Sequence, residues 1–310
     1  MCRHNGGKMT RKTIGIVAGA LIVLCVSAYL GLKFYIEKDA QGRILDWANQ
    51  TGRISEISYQ SLDVGLFSKT IQVSQVSIQI KDVNSPVAVD RLILHSFDAK
   101  NEIPCFMHVE IQGIHIRRDN SFMKGISPVL AQLGYADITA NVEYAYIYEP
   151  IKKDLEIQQL RISISDMGKV EVSARINNLD LAAVKAVPDN PLSLIALVPA
   201  VEISGIMLDY QDNSLTQRLI ELGARQSGQR SEQFISAITE QLNSGIQRQN
   251  QPAVRDMLLA FQKFIVNPGH IQVAVSPARP VPLLTLLMEK DPNERIRALN
   301  VSVNYQELKK

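Results

Sequence analysis

The side chains most able to do chemistry are scattered along this chain. The five histidines, His4, His95, His108, His115 and His270, show no i,i+4 pairing and no neighbouring cysteine pair, the spacings that a zinc site needs. His115 falls on the polar side of its segment and reads as solvated. The three cysteines are Cys2, Cys25 and Cys105. Cys105 stands alone in the body beside Pro104, Phe106 and Met107, and reads as a small core residue rather than a reactive thiol. Ser121-Phe122-Met123-Lys124 matches S-x-x-K, a serine nucleophile with its lysine, but S-D-N and K-T-G are missing, so the match reads as chance. There is no G-x-S-x-G, P-loop or G-x-G-x-x-G. Asn49-Gln50-Thr51 and Asn300-Val301-Ser302 match the glycosylation acceptor, a weak pattern. The expectation is a non-enzyme without cofactor or metal; no catalytic residue is assigned.

Composition narrows the partners. The 310 residues are 46% hydrophobic and 21% charged, ordinary values for a chain folded around a core. Net charge is +2, yet Arg3, Lys8, Arg11 and Lys12 precede any acid, which leaves the body slightly acidic. No basic patch marks a nucleic-acid binder.

Ile14 to Leu32 holds no charged residue over 19 positions, about 28 Å of helix. With the basic tail before it and Lys33 behind, this reads as a transmembrane anchor with a cytoplasmic N-terminus. A cleaved signal peptide is the competing reading, with Val26-Ser27-Ala28 as its small-residue site. Asp39–Gly52 reads as a short juxtamembrane helix. Its Trp47 rests at headgroup level or simply packs.

One pattern organises the body. Two apolar positions one residue apart, a two-residue spacer, then two more recur at Ile71–Ile78, Val87–Leu94, Val109–Ile116, Leu155–Ile162 and Val201–Leu208, with a looser copy at Ile296–Val303. On a helix the four positions would scatter to about 0°, 200°, 140° and 340°, so no apolar stripe results. On a strand, one extra residue at the centre returns the second pair to the first pair's face. Gly113 and Gly205 sit at that centre. Each copy therefore reads as a bulged, bent strand with one apolar side. Together they imply a curved sheet with an apolar wall of Ile71, Val73, Val76, Ile78, Val109, Ile111, Ile114, Ile116, Leu160, Ile162, Val201, Ile203, Ile206 and Leu208.

Ala136–Glu149 alternates and places Tyr144, Tyr146 and Tyr148 on one face, as groove lining or as cross-strand packing. Asp166-Met167-Gly168 marks a hairpin. From Ser214 the period becomes helical. Ser214 and Gln217 form a capping box before Leu215, Leu219 and Leu222. Further helices follow Ser231 and Pro252. Strand returns at His270–Val275, a short helix follows near Leu283–Glu289, and Leu299–Tyr305 closes as strand.

The anchor, Thr51-Gly52-Arg53-Ile54 and Tyr59–Phe67 running into Ile71–Ile78 resemble the N-terminal region of AsmA-like proteins of Gram-negative bacteria. Asn267–Ile271 with Ser276–Val281 is similar to the C-terminal strand region of YdgA-like chains. The resemblance covers about a quarter of the chain. It implies an inner-membrane anchor, a periplasmic β-groove and a role in outer-membrane homeostasis, and it carries no catalytic residues.

The expected fold class is α+β: an N-terminal transmembrane helix, then a curved, bulged, mainly antiparallel sheet forming a partly open groove, with a helical insert. The expected organisation is a cytoplasmic tail over 1–13, anchor over 14–36, juxtamembrane helix over 37–52, curved sheet over 53–213, three-helix insert over 214–266 and returning strands over 267–310. The expected function is non-enzymatic shielding or handing on of lipid by an envelope protein, single-pass in the bacterial inner membrane with its bulk periplasmic. The alternative is a bitopic scaffold subunit of a secretion, pilus or envelope complex. Expected partners are the membrane, a lipid ligand, and a protein partner on the 214–266 helices, with no nucleic acid.

Overall fold

The structure, a computed structural model, describes residues 54–65, 68–186 and 198–307, together with Gly42. Twelve strands form one antiparallel sheet: β1 (Ile54–Ser58), β2 (Ser61–Gly65), β3 (Thr70–Ile80), β4 (Val87–Phe97), β5 (Phe106–Ile116), β6 (Ile138–Glu149), β7 (Asp154–Ile164), β8 (Gly168–Asn177), β9 (Glu202–Asp212), β10 (His270–Val275), β11 (Val281–Pro282) and β12 (Val301–Gln306). The path runs β1-β3-β4-β5-β6-β7-β8-β9-β10-β12, while β2 also pairs with β3 and β11 with β9. Seven helices accompany them among the described residues: α1 (Ser127–Gln132), α2 (Leu181–Ala186), α3 (Leu215–Gln226), α4 (Ser231–Arg248), α5 (Pro252–Val266), α6 (Leu283–Met288) and α7 (Pro292–Leu299).

Two faces follow from alternation along the strands. Ladder pairing sets Val64, Ile71, Leu94, Val109, Tyr144, Leu160, Val172, Leu208, Val273 and Val303 in one row across ten strands. The next row runs from Leu62 through Val73, Leu92, Ile111, Val142, Ile162 and Val170 to Tyr210, Ile271 and Tyr305. The two-residue spacers keep later residues on the same side. In β3, β4 and β5 they lie opposite one another, with Gln75 and Gly113 in the left-handed region. Val73, Val76 and Val89 consequently pack together as a buried cluster under Ile57, Tyr59 and Leu62. In β5, β7 and β9 the spacer also shifts the register against a neighbouring strand, as an extra residue must.

Helices cover the ends of this apolar face. Leu133, Tyr135 and Met167 are buried with Leu215 and Leu222 of α3 against Ile138 and Ile164. Phe264 of α5 meets the rings of Tyr210 and Tyr305 edge-on at 5.8 and 6.5 Å. Arg218 fastens α3 to the turn after α1, stacking over Tyr135 at 4.3 Å and donating to the Leu133 carbonyl at 2.8 Å.

Three expectations need correction. The transmembrane anchor over 14–36 and, apart from Gly42, the juxtamembrane helix over 37–52 lie outside the described residues. Among the described residues, no helix is long and apolar enough to cross a membrane. The longest, α4, has 18 residues but carries Glu232, Gln233, Glu240, Gln241 and Arg248. The described residues thus form a large antiparallel sheet with helices, and no membrane-spanning helix is found among them. The single-pass, inner-membrane and periplasmic assignments therefore have no support from the described residues.

The looser copy of the strand pattern also fails, because Pro292–Leu299 is helical. Asp291 accepts from the Asn293 amide at its start, Pro292 fits the first turn, and Asn300 ends it in the left-handed region. Finally, Ser214 and Gln217 form no capping box. The Ser214 hydroxyl bonds the Asp166 carbonyl and Tyr135 Oη, and Gln217 turns to Glu221. The amide of Thr216 is capped instead by Asp212 at 2.8 Å.

Candidate functional site

The wall residues named from the sequence separate into near neighbours and outliers. Ile71, Val109, Leu160 and Leu208 share the first row; Val73, Ile111 and Ile162 share the second. Val76 and Ile114 both face Val89, with Ile78 opposite Val87 and Ile116 opposite Ile138. Ile206 faces Ala174 and Val275, and Ile203 faces Ile176. Val201 does not join a strand; it precedes β9, where its carbonyl accepts from the Leu283 amide at 2.8 Å.

What distinguishes this face is how little of its middle is covered. Val109, Tyr144, Leu160 and Val172 are only half-buried, and Leu208 is 37% exposed. A second layer lying on a ten-strand row would bury them. Burial is complete at the Val73–Val76–Val89 cluster and beneath α3 and α5, and between them only at Ala140, Tyr148 and Ala174. The strip left open crosses β5 to β9, three rows deep. At about 4.8 Å between strands and about 6.8 Å between rows, its footprint is roughly 500 Å², mostly aliphatic with Tyr144 among its residues. One end is closed by the loop from Asp98 to Cys105, whose Pro104 carbonyl accepts from Tyr146 Oη at 3.1 Å.

Asp98 builds that loop. Its buried carboxylate accepts from Asn101 Nδ2 at 2.6 Å, the Cys105 amide at 2.9 Å and the Lys100 amide at 3.0 Å. Those donors, Asn101 first, hold its carboxyl well below the usual range. Burial, then Asp98, pushes the Cys105 thiol up, which keeps it protonated. A depressed carboxyl contributes stability above its unfolded value of about 4 and loses it as pH falls through the folded value. Wild-type unfolding midpoints followed from pH 6 to pH 2 should therefore decline more steeply below pH 4 than those of Asp98→Asn. Parallel curves would rule Asp98 out as the cause.

The opposite face is polar and internally paired. Glu110, Glu143, Arg161, Glu171 and Asp209 form a row across β5 to β9. Glu143 accepts from Arg161 at 2.7 Å, and from His108 and Gln159 at 3.0 Å. Arg161 also reaches Glu171 at 3.1 Å, and holds that carboxyl low with Lys169 behind it. The Gln112 amide, then His95, does the same for Glu110. Each histidine among the described residues meets a carboxylate on a neighbouring strand: His95–Glu110 at 3.3 Å, His108–Glu143 at 3.0 Å, His115–Asp90 at 3.1 Å and His270–Asp209 at 2.6 Å. An open depression of about 640 Å³ lies over the spacers of β3 and β5, between Asp90, Arg91, Asn141 and Glu143. Sequence reading missed these pairs, because partners 15 to 61 residues apart leave no spacing to read.

Among the described residues, no nucleophile with its base stands out. Ser121 is a turn residue, its amide donating to Asn84 Oδ1 at 2.7 Å and its hydroxyl accepting from the Asn84 amide at 3.1 Å. Among the described residues, no group of three or more His, Cys, Asp or Glu is placed to hold a metal ion.

A family model described as "Uncharacterized protein" matches residues 161–306, which hold β8 to β12 and the helices from α2 to α7. An "Uncharacterized protein" of Aquifex aeolicus (strain VF5) is 21% identical over 302 residues, covering 94% of this chain and 98% of its own. That alignment is nearly end to end, so the relative extends over the whole open strip.

Proposed function

We propose that this protein is a non-catalytic binding module that shields aliphatic ligand chains on the open strip of its sheet. The observation that carries this is the partly exposed row of Val109, Tyr144, Leu160, Val172 and Leu208, aliphatic on four of its five strands. Exposed apolar patches of a few hundred Å² mark interaction sites on folded proteins. Area argues for a chain-shaped ligand over a flat protein partner. A stable interface takes about 800 Å² per partner, more than the roughly 500 Å² between the covered flanks.

The affinity follows from area. A sixteen-carbon chain half-buried at about 0.8 kcal/mol per methylene gains about 6 kcal/mol, or a Kd in the tens of micromolar before ordering costs. Such weak binding suits a ligand that is taken up and passed on. Fatty-acid titration against a displaceable fluorescent dye should give saturable binding, weakened tenfold or more by Leu160→Asp with the fold kept by circular dichroism. Equal binding by that variant, or none by wild type at millimolar ligand, would sink the reading.

Exposed Leu219, Phe261 and Val266 on α3 and α5 favour a second reading, a scaffold whose helices dock a protein. Crosslinks placing a stoichiometric second chain on those three residues, with no ligand bound by the strip, would favour it.

A further inference from the structure

We infer that the Tyr144 hydroxyl is the polar anchor of the open strip, selecting aliphatic ligands that carry a carbonyl oxygen, as fatty acids and their esters do, over plain hydrocarbon. This deepens the reading of the strip as an aliphatic site and rests on it.

The tyrosine ladder of β6 supplies the argument. Tyr148 is buried, and its hydroxyl donates to the Leu179 carbonyl at 3.2 Å and accepts from the Leu181 amide at 3.4 Å. Tyr146 donates to the Pro104 carbonyl at 3.1 Å. Both phenols therefore tie loops to one end of the sheet. Tyr144 lies one row further in, its ring 5.4 Å from that of Tyr146, and its hydroxyl has no hydrogen-bond partner among the described residues. Val109 and Leu160 stand directly opposite it on the two neighbouring strands. A phenylalanine would pack there equally well, so the oxygen has no structural task.

Burial pushes this phenol up, which keeps it neutral and a donor. Its oxygen is not sealed off from water in the free protein. An aliphatic chain laid along Val109, Tyr144 and Leu160 displaces that water. Plain hydrocarbon then leaves the hydroxyl unsatisfied, whereas a ligand carbonyl replaces the lost bond. Discrimination comes from that difference, because a site built around a polar group rejects the analogue that cannot pair with it.

The test uses the full chain as wild type, Tyr144→Phe and Tyr146→Phe. Decanoate, methyl decanoate and decane each compete against bound anilinonaphthalene sulfonate. Wild type should prefer the two oxygenated ligands. Tyr144→Phe should weaken them about tenfold, the worth of one hydrogen bond, and bind decane at least as well as wild type. Tyr146→Phe should leave the preference intact. Loss confined to decanoate supports a free carboxylate as the anchor's ligand; loss for both supports any acyl carbonyl, esters included. If all three ligands bind and Tyr144→Phe leaves their ranking unchanged, the anchor is overturned while the aliphatic site stands. If none binds to wild type, both are overturned together. Matching near-ultraviolet circular dichroism between wild type and Tyr144→Phe separates a lost hydrogen bond from a lost fold.

Discussion

Asp212→Ala is expected to cost about 3 kcal/mol, one of the largest losses from a single side chain outside the aliphatic rows. Asp212 is buried at the end of β9, where the sheet hands over to α3. Its Oδ1 takes the Thr216 amide at 2.8 Å and the Tyr210 hydroxyl at 2.7 Å. Removing the carboxylate strips the first turn of α3 of its cap, which costs about 1 kcal/mol. It also leaves a half-buried phenol without its acceptor, about 1–3 kcal/mol more. In the wild type burial, then Asp212, pushes the Tyr210 phenol far above its usual range, so it stays a hydrogen-bond donor to that carboxylate. Tyr210 in turn meets Phe264 of α5, so damage here reaches two helices at once. Urea unfolding should show an earlier midpoint at unchanged slope. Tyr210→Phe should lose less, since the carboxylate keeps the Thr216 amide. A double mutant no worse than Asp212→Ala alone would place the coupling in that one hydrogen bond. An unchanged midpoint for Asp212→Ala would mean that Ser214, not Asp212, holds the helix start.

This handover shows what local sequence conveys and what it hides. A helix beginning near Ser214 is legible from Leu215, Leu219 and Leu222, because the 3.6-residue period is local. Which oxygen caps it is not, since Ser214 is drawn away by Asp166 and Tyr135, 48 and 79 residues distant. The aliphatic pairs of β3, β4 and β5 are legible for the same reason, each copy stating its own face. The copy at 296–303 misleads because Asp291 and Pro292 start a helix whose signals lie outside the eight-residue pattern. Tyr144, Tyr146 and Tyr148 look equivalent as a sequence. Only the loops at one end of the sheet separate them, by supplying acceptors to two and none to the third. The histidine–carboxylate pairs of the polar face depend on register alone, which a two-residue period cannot set by itself.

Gly113→Val should cost about 2–4 kcal/mol and disturb the register of β5 against both neighbours. Gly113 sits at φ +63°, where a side chain costs about 1–2 kcal/mol and a β-branched one more. A Cβ there would also run into the Asp90 carboxylate folded across it and lie 2.8 Å from Asp90 Cβ on the adjacent strand. That carboxylate is held over the glycine by His115 at 3.1 Å. Across the other neighbour, the Gly113 amide donates to Asn141 Oδ1 at 2.8 Å, which fixes the extra residue of β5 against β6. Relief requires Asp90 to swing out, breaking an exposed pair of little worth, or the strand to straighten. Straightening is the costly route. Removing the extra residue's kink turns Ile114 and Ile116 from the aliphatic side to the polar side. The neighbouring Gln75 offers the control, since it occupies the same left-handed region at φ +52° on β3 with an ordinary side chain. Gln75→Gly relieves that strain while gaining unfolded-state entropy, so its midpoint should stay within about 1 kcal/mol of wild type. If Gly113→Val unfolds no earlier than Gln75→Gly, the bend shared by β3, β4 and β5 does not depend on a residue without a side chain. The open strip would then owe its one-sidedness to the aliphatic rows alone.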